Sequence, residues 1–175
     1  MMKITVERKV LLEAVSIANF VISAKTVEEI FRNIKLEAKE NTLFIFGTDR
    51  DTLIRQKVAE VEVEEEGSIV VSAQKVIDVL TKVLDEKINI SADIEKEDRF
   101  ISITTKRGKY KIFGINPEDY VEFPEVDWSN SIEIAPHDLY NMIQKTIFAA
   151  AAERTRYTLN GIFIKIGEKK IDMVA

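Results

Sequence analysis

With 175 residues, 46% of them apolar and 31% charged, the chain is long enough for one domain and part of another, and too hydrophobic to stay disordered. It contains no cysteine, which excludes disulfides, thiolate chemistry and cysteine zinc sites and fits a reducing compartment. The net charge of −5 argues against a general nucleic-acid binder, so any contact with phosphates has to be local or imposed by geometry.

Met1-Met2-Lys3-Ile4-Thr5 enters a strand rather than a signal peptide, and no apolar run approaches the roughly 18 residues of a membrane span, so a cytoplasmic protein is expected. Lys3 to Glu7 alternates as a strand. Arg8 to about Ile22 reads as a helix with Val10, Leu11, Ala14, Ile17, Ala18 and Val21 on one stripe. A mostly polar connection, Lys25 to Arg32, leads to a hairpin of Ile34 to Ala38 and Leu43 to Phe46 around Glu40-Asn41, closed by Gly47-Thr48-Asp49. Thr52 to Glu64 alternates over the length of one long, bent strand, and Glu64-Glu65-Glu66-Gly67 reads as a solvated turn rather than a metal site.

The plan then repeats: strand Ser68 to Val71, helix Gln74 to Leu84, and strands near Lys87 to Ser91, Phe100 to Thr104 and Lys109 to Ile115, with turns at Glu95 to Arg99 and Lys106 to Gly108. Asn116 to Ser131 carries Pro117, Pro124, the single Trp128 and five acidic residues, and is expected to connect two domains. Ile132 to Ile134 opens a third copy, Pro136 suits the first turn of a helix running to about Ala152, and Arg154 to Ile166 pairs with Lys170 to Val174 across Gly167-Glu168-Lys169. The copies align residue by residue. Ile4 and Val6, Ile69 and Val71, and Ile132 and Ile134 alternate as strands, and each pair is followed at the same offset by Leu11-Leu12, Val76-Ile77 or Leu139-Tyr140 at helical spacing. Their starts lie 65 and 63 residues apart, so each copy is half a domain: a strand, a helix, then about three strands. The third copy is expected to be cut short.

Little in the chain is built for catalysis. His137, the only histidine, sits in the first turn of a predicted helix among polar residues, where a capping or surface role is expected. There is no glycine-rich phosphate loop, no paired-histidine motif and no serine flanked by glycines. Asp49 and Asp51 could hold a cation weakly, but turn chemistry explains them more simply. No catalytic residue, metal or cofactor is assigned, and a non-enzyme is expected.

Tandem strand-helix-strands units, Val6-Glu7-Arg8, Phe46-Gly47-Thr48-Asp49, Asp119-Tyr120-x-x-Phe123-Pro124 and above all Arg156-Tyr157-Thr158-Leu159-Asn160-Gly161 together resemble the bacterial beta sliding clamp family over the whole chain. The resemblance implies an α+β DNA clamp (processivity) fold with three similar domains per subunit. Two subunits would close head to tail around duplex DNA, helices inside and sheets outside. Residues 1–126 would be a complete first domain, and 127–175 an incomplete second one lacking the Thr-Asp-Gly-His-Arg motif that follows in the family. The function implied is that of a non-catalytic processivity factor within a DNA-directed DNA polymerase holoenzyme, a nucleotidyltransferase. It would tether the replicative polymerase, clamp loader and repair proteins through linear peptide motifs, as a homodimer when full length.

Family positions for DNA contact match Lys25, Gln74, Glu153, Tyr157 and Thr158; Lys25 keeps a cation and Gln74 can bond a phosphate, whereas Glu153 would repel one. The first wall of the family's peptide pocket matches Arg156, Thr158 and Leu159. The surface meeting a neighbouring subunit matches Lys75, Arg107, Tyr110 and Ile112, the last two aimed the same way by strand alternation to give one apolar patch flanked by charge. A closed ring is held on DNA by topology, so a light lining of Lys9, Lys25, Lys82 and Lys145 suffices and an acidic protein can still serve DNA. A plain protein-interaction module of β-sheets fits the charge equally well. An enzyme would need converging titratable groups that the sequence does not offer.

Overall fold

Alternation of Met2, Ile4 and Val6 with polar residues builds β1 (Met2–Glu7), from which the chain passes directly into α1 (Arg8–Asn19). No side chain caps α1; instead the Arg8 N–H donates to the Glu86 carbonyl at 2.7 Å, and the Arg8 guanidinium donates to the Leu80 carbonyl at 3.0 Å. A 3-10 turn (Glu29–Arg32) then leads into β2 (Asn33–Lys39) and β3 (Thr42–Thr48), joined through Glu40 and Asn41 with φ of 50° and 54°. Both centres of that turn are left-handed, the twist a two-residue hairpin requires. The structure is a computed structural model and describes residues 1–22, 28–93, 99–124, 127, 129, 131–151, 160–167 and 170–175. They divide into two units, Met1–Pro124 and Glu125–Ala175.

The expected single strand from Thr52 to Glu64 is two. β4 (Leu53–Val58) pairs with β3 and β5 (Glu62–Glu65) pairs with β1, and the break holds Glu60 at φ 63°. Alternation runs through both pieces, so the sequence does not reveal that they serve opposite ends of the sheet. The second half repeats the first, with β6 (Gly67–Ser72), α2 (Ala73–Lys82), β7 (Lys87–Asp93), β8 (Phe100–Thr104) and β9 (Lys109–Ile115). The Ser72 hydroxyl caps α2 by accepting from the Lys75 N–H at 3.4 Å. One antiparallel sheet results, in the order β4-β3-β2-β6-β9-β8-β7-β1-β5, and its halves join at only two residue pairs, Val70 with Ile115 and Val71 with Gly114.

The two helices of the repeat pack against each other, as the repeat requires. Leu11, Ala14, Val15 and Ala18 of α1 and Ala73, Val76 and Leu80 of α2 fill one core with Ile4, Leu36, Ile45, Ile69, Ile90 and Ile101 of the sheet. Each leucine, isoleucine or valine among them contributes about 1.5 to 3 kcal/mol on burial, and each alanine less. Neighbours in sequence point to the other face of the sheet, where Phe46 and Val70 meet Tyr120 and Phe123. The Phe46 and Phe123 rings lie 4.8 Å apart edge to face. The first part of the expected connector, including a 3-10 turn at Pro117–Asp119, thus belongs to the first unit.

The Tyr120 hydroxyl donates to the carbonyls of Asn33 at 3.1 Å and Phe46 at 3.4 Å, and burial pushes its pKa up to about 12. Its folded value lies above its unfolded one, so its contribution is complete below about pH 10 and is lost as pH rises toward 12. Urea melts at pH 9 and pH 11.5 are expected to show up to about 2 kcal/mol less stability at the higher pH, beyond the loss seen for Tyr120→Phe. Parallel pH profiles for the two proteins would show that the tyrosine is not the titrating group.

In the second unit α3 (Pro136–Gln144) begins on Pro136 as expected but stops well short of Ala152. The Thr146 hydroxyl turns back to the carbonyls of Met142 at 2.9 Å and Ile143 at 3.2 Å, and a 3-10 turn (Ile147–Ala149) follows. β10 (Phe163–Ile166) and β11 (Ile171–Val174) form a hairpin; positions 154–159 and 168–169, assigned above to the strand and its turn, lie outside the described residues. Ile132 to Ile134 is not a strand. In the first unit β1 is held between β5 and β7, both far downstream, and the same offsets from Ile132 fall past residue 175. No described residue of the second unit is buried.

Candidate nucleic-acid and subunit interface

The residues matched to DNA contact divide sharply. Gln74 lies in the first turn of α2, exposed, its amide donating to the Asp78 carboxylate at 2.9 Å and so held extended along the helix. Lys9 on α1, Lys82 in the last turn of α2 and Lys145 at the end of α3 are exposed as well. Lys25, Glu153, Tyr157 and Thr158 lie outside the described residues, as do Arg156 and Leu159 of the expected peptide pocket. His137 is exposed on α3 and accepts from the Asn141 amide at 2.8 Å in the tautomer that leaves Nε2 free. Asp49 accepts from the Thr52 N–H at 2.8 Å, which is the turn role expected for it.

The residues matched to a subunit surface do come together, around β9. Its edge toward β8 is paired from Lys109 to Phe113, with Phe100 opposite Phe113 and Thr104 opposite Lys109. Its other edge meets β6 only at Gly114 and Ile115, so among the described residues the stretch Lys109 to Phe113 has no second strand partner. Such an edge is a template for another strand. The turn before it is rigid, because the Thr105 hydroxyl accepts from the N–H groups of Arg107 and Gly108 and the Asp85 carboxylate accepts from Lys106 N–H at 3.4 Å. Lys106, Arg107, Lys109 and Lys111 are all exposed there, a local cationic run in an acidic chain, and Lys75 is exposed on α2, which packs beside β9.

The expected apolar pair needs correcting. Tyr110 and Ile112 do share a face, but Ile112 is 5% exposed and belongs to the core, whereas Tyr110 at the margin is 39% exposed. The two therefore do not form one exposed patch. Sequence reasoning missed Phe113, which is 76% exposed on the opposite face of β9, beside Phe100, whose ring carries the Lys111 ammonium at 4.3 Å. The signal was available: once Ile112 faces the core, alternation sends its neighbour outward. Among the described residues no group of three or more His, Asp or Glu side chains is arranged to hold a metal. No helix among the described residues is long and apolar enough to cross a membrane.

Solved structures place this arrangement in a known architecture. The chain superposes on a DNA polymerase sliding clamp from Caulobacter crescentus with a TM-score of 0.82 at 26% identity, covering 94% of this chain and 44% of that one. It superposes on the sliding clamp of Bacillus subtilis with a TM-score of 0.86 at 24% identity, again over 94% of this chain and 44% of that one, which speaks for the fold. The fold is thus the α+β clamp fold. Among curated relatives, the beta sliding clamps of Rickettsia felis and Staphylococcus epidermidis are each 28% identical, over 97% and 93% of this chain. The chain spans about 44% of the length of these relatives. Residues 2–124 match the family described as DNA polymerase III beta subunit, N-terminal domain, and the chain belongs to that family.

Proposed function

We propose that this chain is the N-terminal part of a DNA sliding clamp, a non-catalytic processivity factor for a replicative polymerase. Residues 1–126 act as its first domain and 127–175 as the start of its second. The observation that carries this reading is the pair of neighbouring helices on one sheet whose β9 leaves an open, cation-rich edge. In a ring-length homodimer the helices face duplex DNA, with Lys9, Lys25, Lys82 and Lys145 as a light cationic lining, Gln74, Tyr157 and Thr158 at further contact positions, and Glu153 unfavourable at another. Lys75, Arg107 and Tyr110 meet the neighbouring subunit, with Ile112 supporting Tyr110 from the core. Arg156, Thr158 and Leu159 form one wall of a pocket for linear peptide motifs of polymerase, clamp loader and repair proteins in the cytoplasm. No cofactor takes part.

The test is retention by a ring-length version of the protein on circular DNA after treatment with a clamp loader. Retention that disappears when the circle is cut is expected, and Tyr110→Ala should weaken subunit association by roughly 1 to 3 kcal/mol while leaving the melting temperature nearly unchanged. Equal retention on cut and intact DNA would favour the rival reading of a plain protein-interaction module.

A further inference from the structure

The offset of 128 positions that carries Ile4 to Ile132 also carries Leu11, Ala14, Val15 and Ala18, all buried on α1, to Leu139, Met142, Ile143 and Thr146, all half-buried on α3. It holds for the strands as well. Leu36 is opposite Ile45 in the β2–β3 hairpin, and Ile164 is opposite Met173 in the β10–β11 hairpin, again 128 positions on. The second unit thus presents the face of the first repeat in the same register.

In the first unit a second repeat closes that face through reciprocal contacts. β1 pairs with β7, β6 pairs with β2 and α1 packs on α2, so the opening strand of each repeat lies against the first strand after the other's helix. Among the described residues of the second unit nothing takes the second repeat's place. Leu36 is fully buried whereas Ile164 is 47% exposed, and Ile132, Ile134, Met142, Ile166 and Ile171 line an open cleft of about 440 Å³. Contiguous apolar surface of this kind marks an interface. The first and second repeats already cover each other, so the surface in this sequence that matches the third repeat is the third repeat of another copy.

We propose that the second unit of the 175-residue chain closes against a second copy of itself, as an isologous dimer in which α3 packs on the partner's α3 as α1 packs on α2. In the first unit Leu36 is opposite Ile69 and Ile34 is opposite Val71; the corresponding pairs across the dimer are Ile164 with the partner's Ile132 and Ile162 with the partner's Ile134. Residues 132–134 thereby gain a strand neighbour that no described residue of one chain provides. The contact is separate from the open edge of β9, and it rests on the repeat, not on the clamp reading.

The test is sedimentation equilibrium of the 175-residue chain together with cysteine cross-linking, which the absence of native cysteine keeps specific. A species of twice the 20.0 kDa chain mass is expected. Ile164→Glu would bury an unpaired carboxylate in the contact and should raise the dissociation constant at least about tenfold. A variant that merely unfolds the second unit would give the same reading, so the deciding one is Ile132→Cys with Ile164→Cys. Opposed residues of antiparallel strands have Cα atoms about 4.5 to 5.5 Å apart, a span that a disulfide bridges. Mild oxidation should convert this variant into a covalent dimer, whereas Ile132→Cys with Phe113→Cys should give none. A monomer at the concentrations used for NMR would overturn the proposal. So would a dimer that the paired cysteines fail to trap, since its contact would then lie elsewhere, as at the open edge of β9.

Discussion

Leu80→Ala is expected to lower the unfolding free energy by about 3 to 5 kcal/mol, and Leu84→Ala by no more than about 0.5 kcal/mol. The two leucines have the same chemistry and sit four residues apart, and the sequence periodicity places both on α2. In the structure α2 ends at Lys82, Leu80 is fully buried in the core, and Leu84 is 75% exposed beyond the helix. Truncating Leu80 also opens a cavity where the α1 and α2 contact is tied by Arg8 to the Leu80 carbonyl, and that guanidinium already buries an Nε without a partner. The network there has little slack to close around a void. Urea denaturation of both variants decides the matter, and similar losses would mean that the helix boundary is wrong.

Gly47→Ala is expected to cost at least about 2 kcal/mol, an overpacking penalty at the upper part of the usual range, whereas Gly108→Ala should be close to neutral. The added methyl at Gly47 would collide with a backbone carbonyl in α1, which cannot rotate away as a side-chain tip could. Relief requires moving the end of the helix, and Ala18 and Ala14 are part of the core. At Gly108 nothing lies within 4 Å of the new methyl. Thermal melts that rank the two substitutions the other way would show that α1 and β3 do not approach as described.

What could be read from the amino acids alone depended on whether the determining contacts were local. Alternation gave β1, the β2–β3 hairpin and β6 to β9, because half-buried strands write their facing into every second residue. Glu40-Asn41 reveals the hairpin turn for a similar reason. The division of Thr52 to Glu64 into β4 and β5 was not legible, since it depends on which distant strand each piece meets. The same limit explains Ile132 to Ile134, a good strand pattern without strand neighbours among the described residues. At the candidate interface, alternation correctly put Tyr110 and Ile112 on one face but could not say that α2 and the sheet cover only the second. Lys75 and Arg107 were matched through resemblance alone, and Phe113 was overlooked because alternation marks it as exposed only once Ile112 is known to face the core.

The position of β1 has a consequence for how the protein is made. Its residues leave the ribosome well before those of either neighbour, yet Met2 is opposite Ala92 and Ile4 is opposite Val63 and Ile90 in the finished sheet. At translation rates of about 5 to 20 residues per second, an apolar strand waits on the order of ten seconds for its neighbours to be synthesised. Closing so long a loop is also slow once the chain is complete. The nascent, unpaired β1 is therefore a natural client for a ribosome-associated holdase, and synonymous codon changes that slow elongation between β1 and residue 93 should lower the soluble yield even though the protein sequence is unchanged.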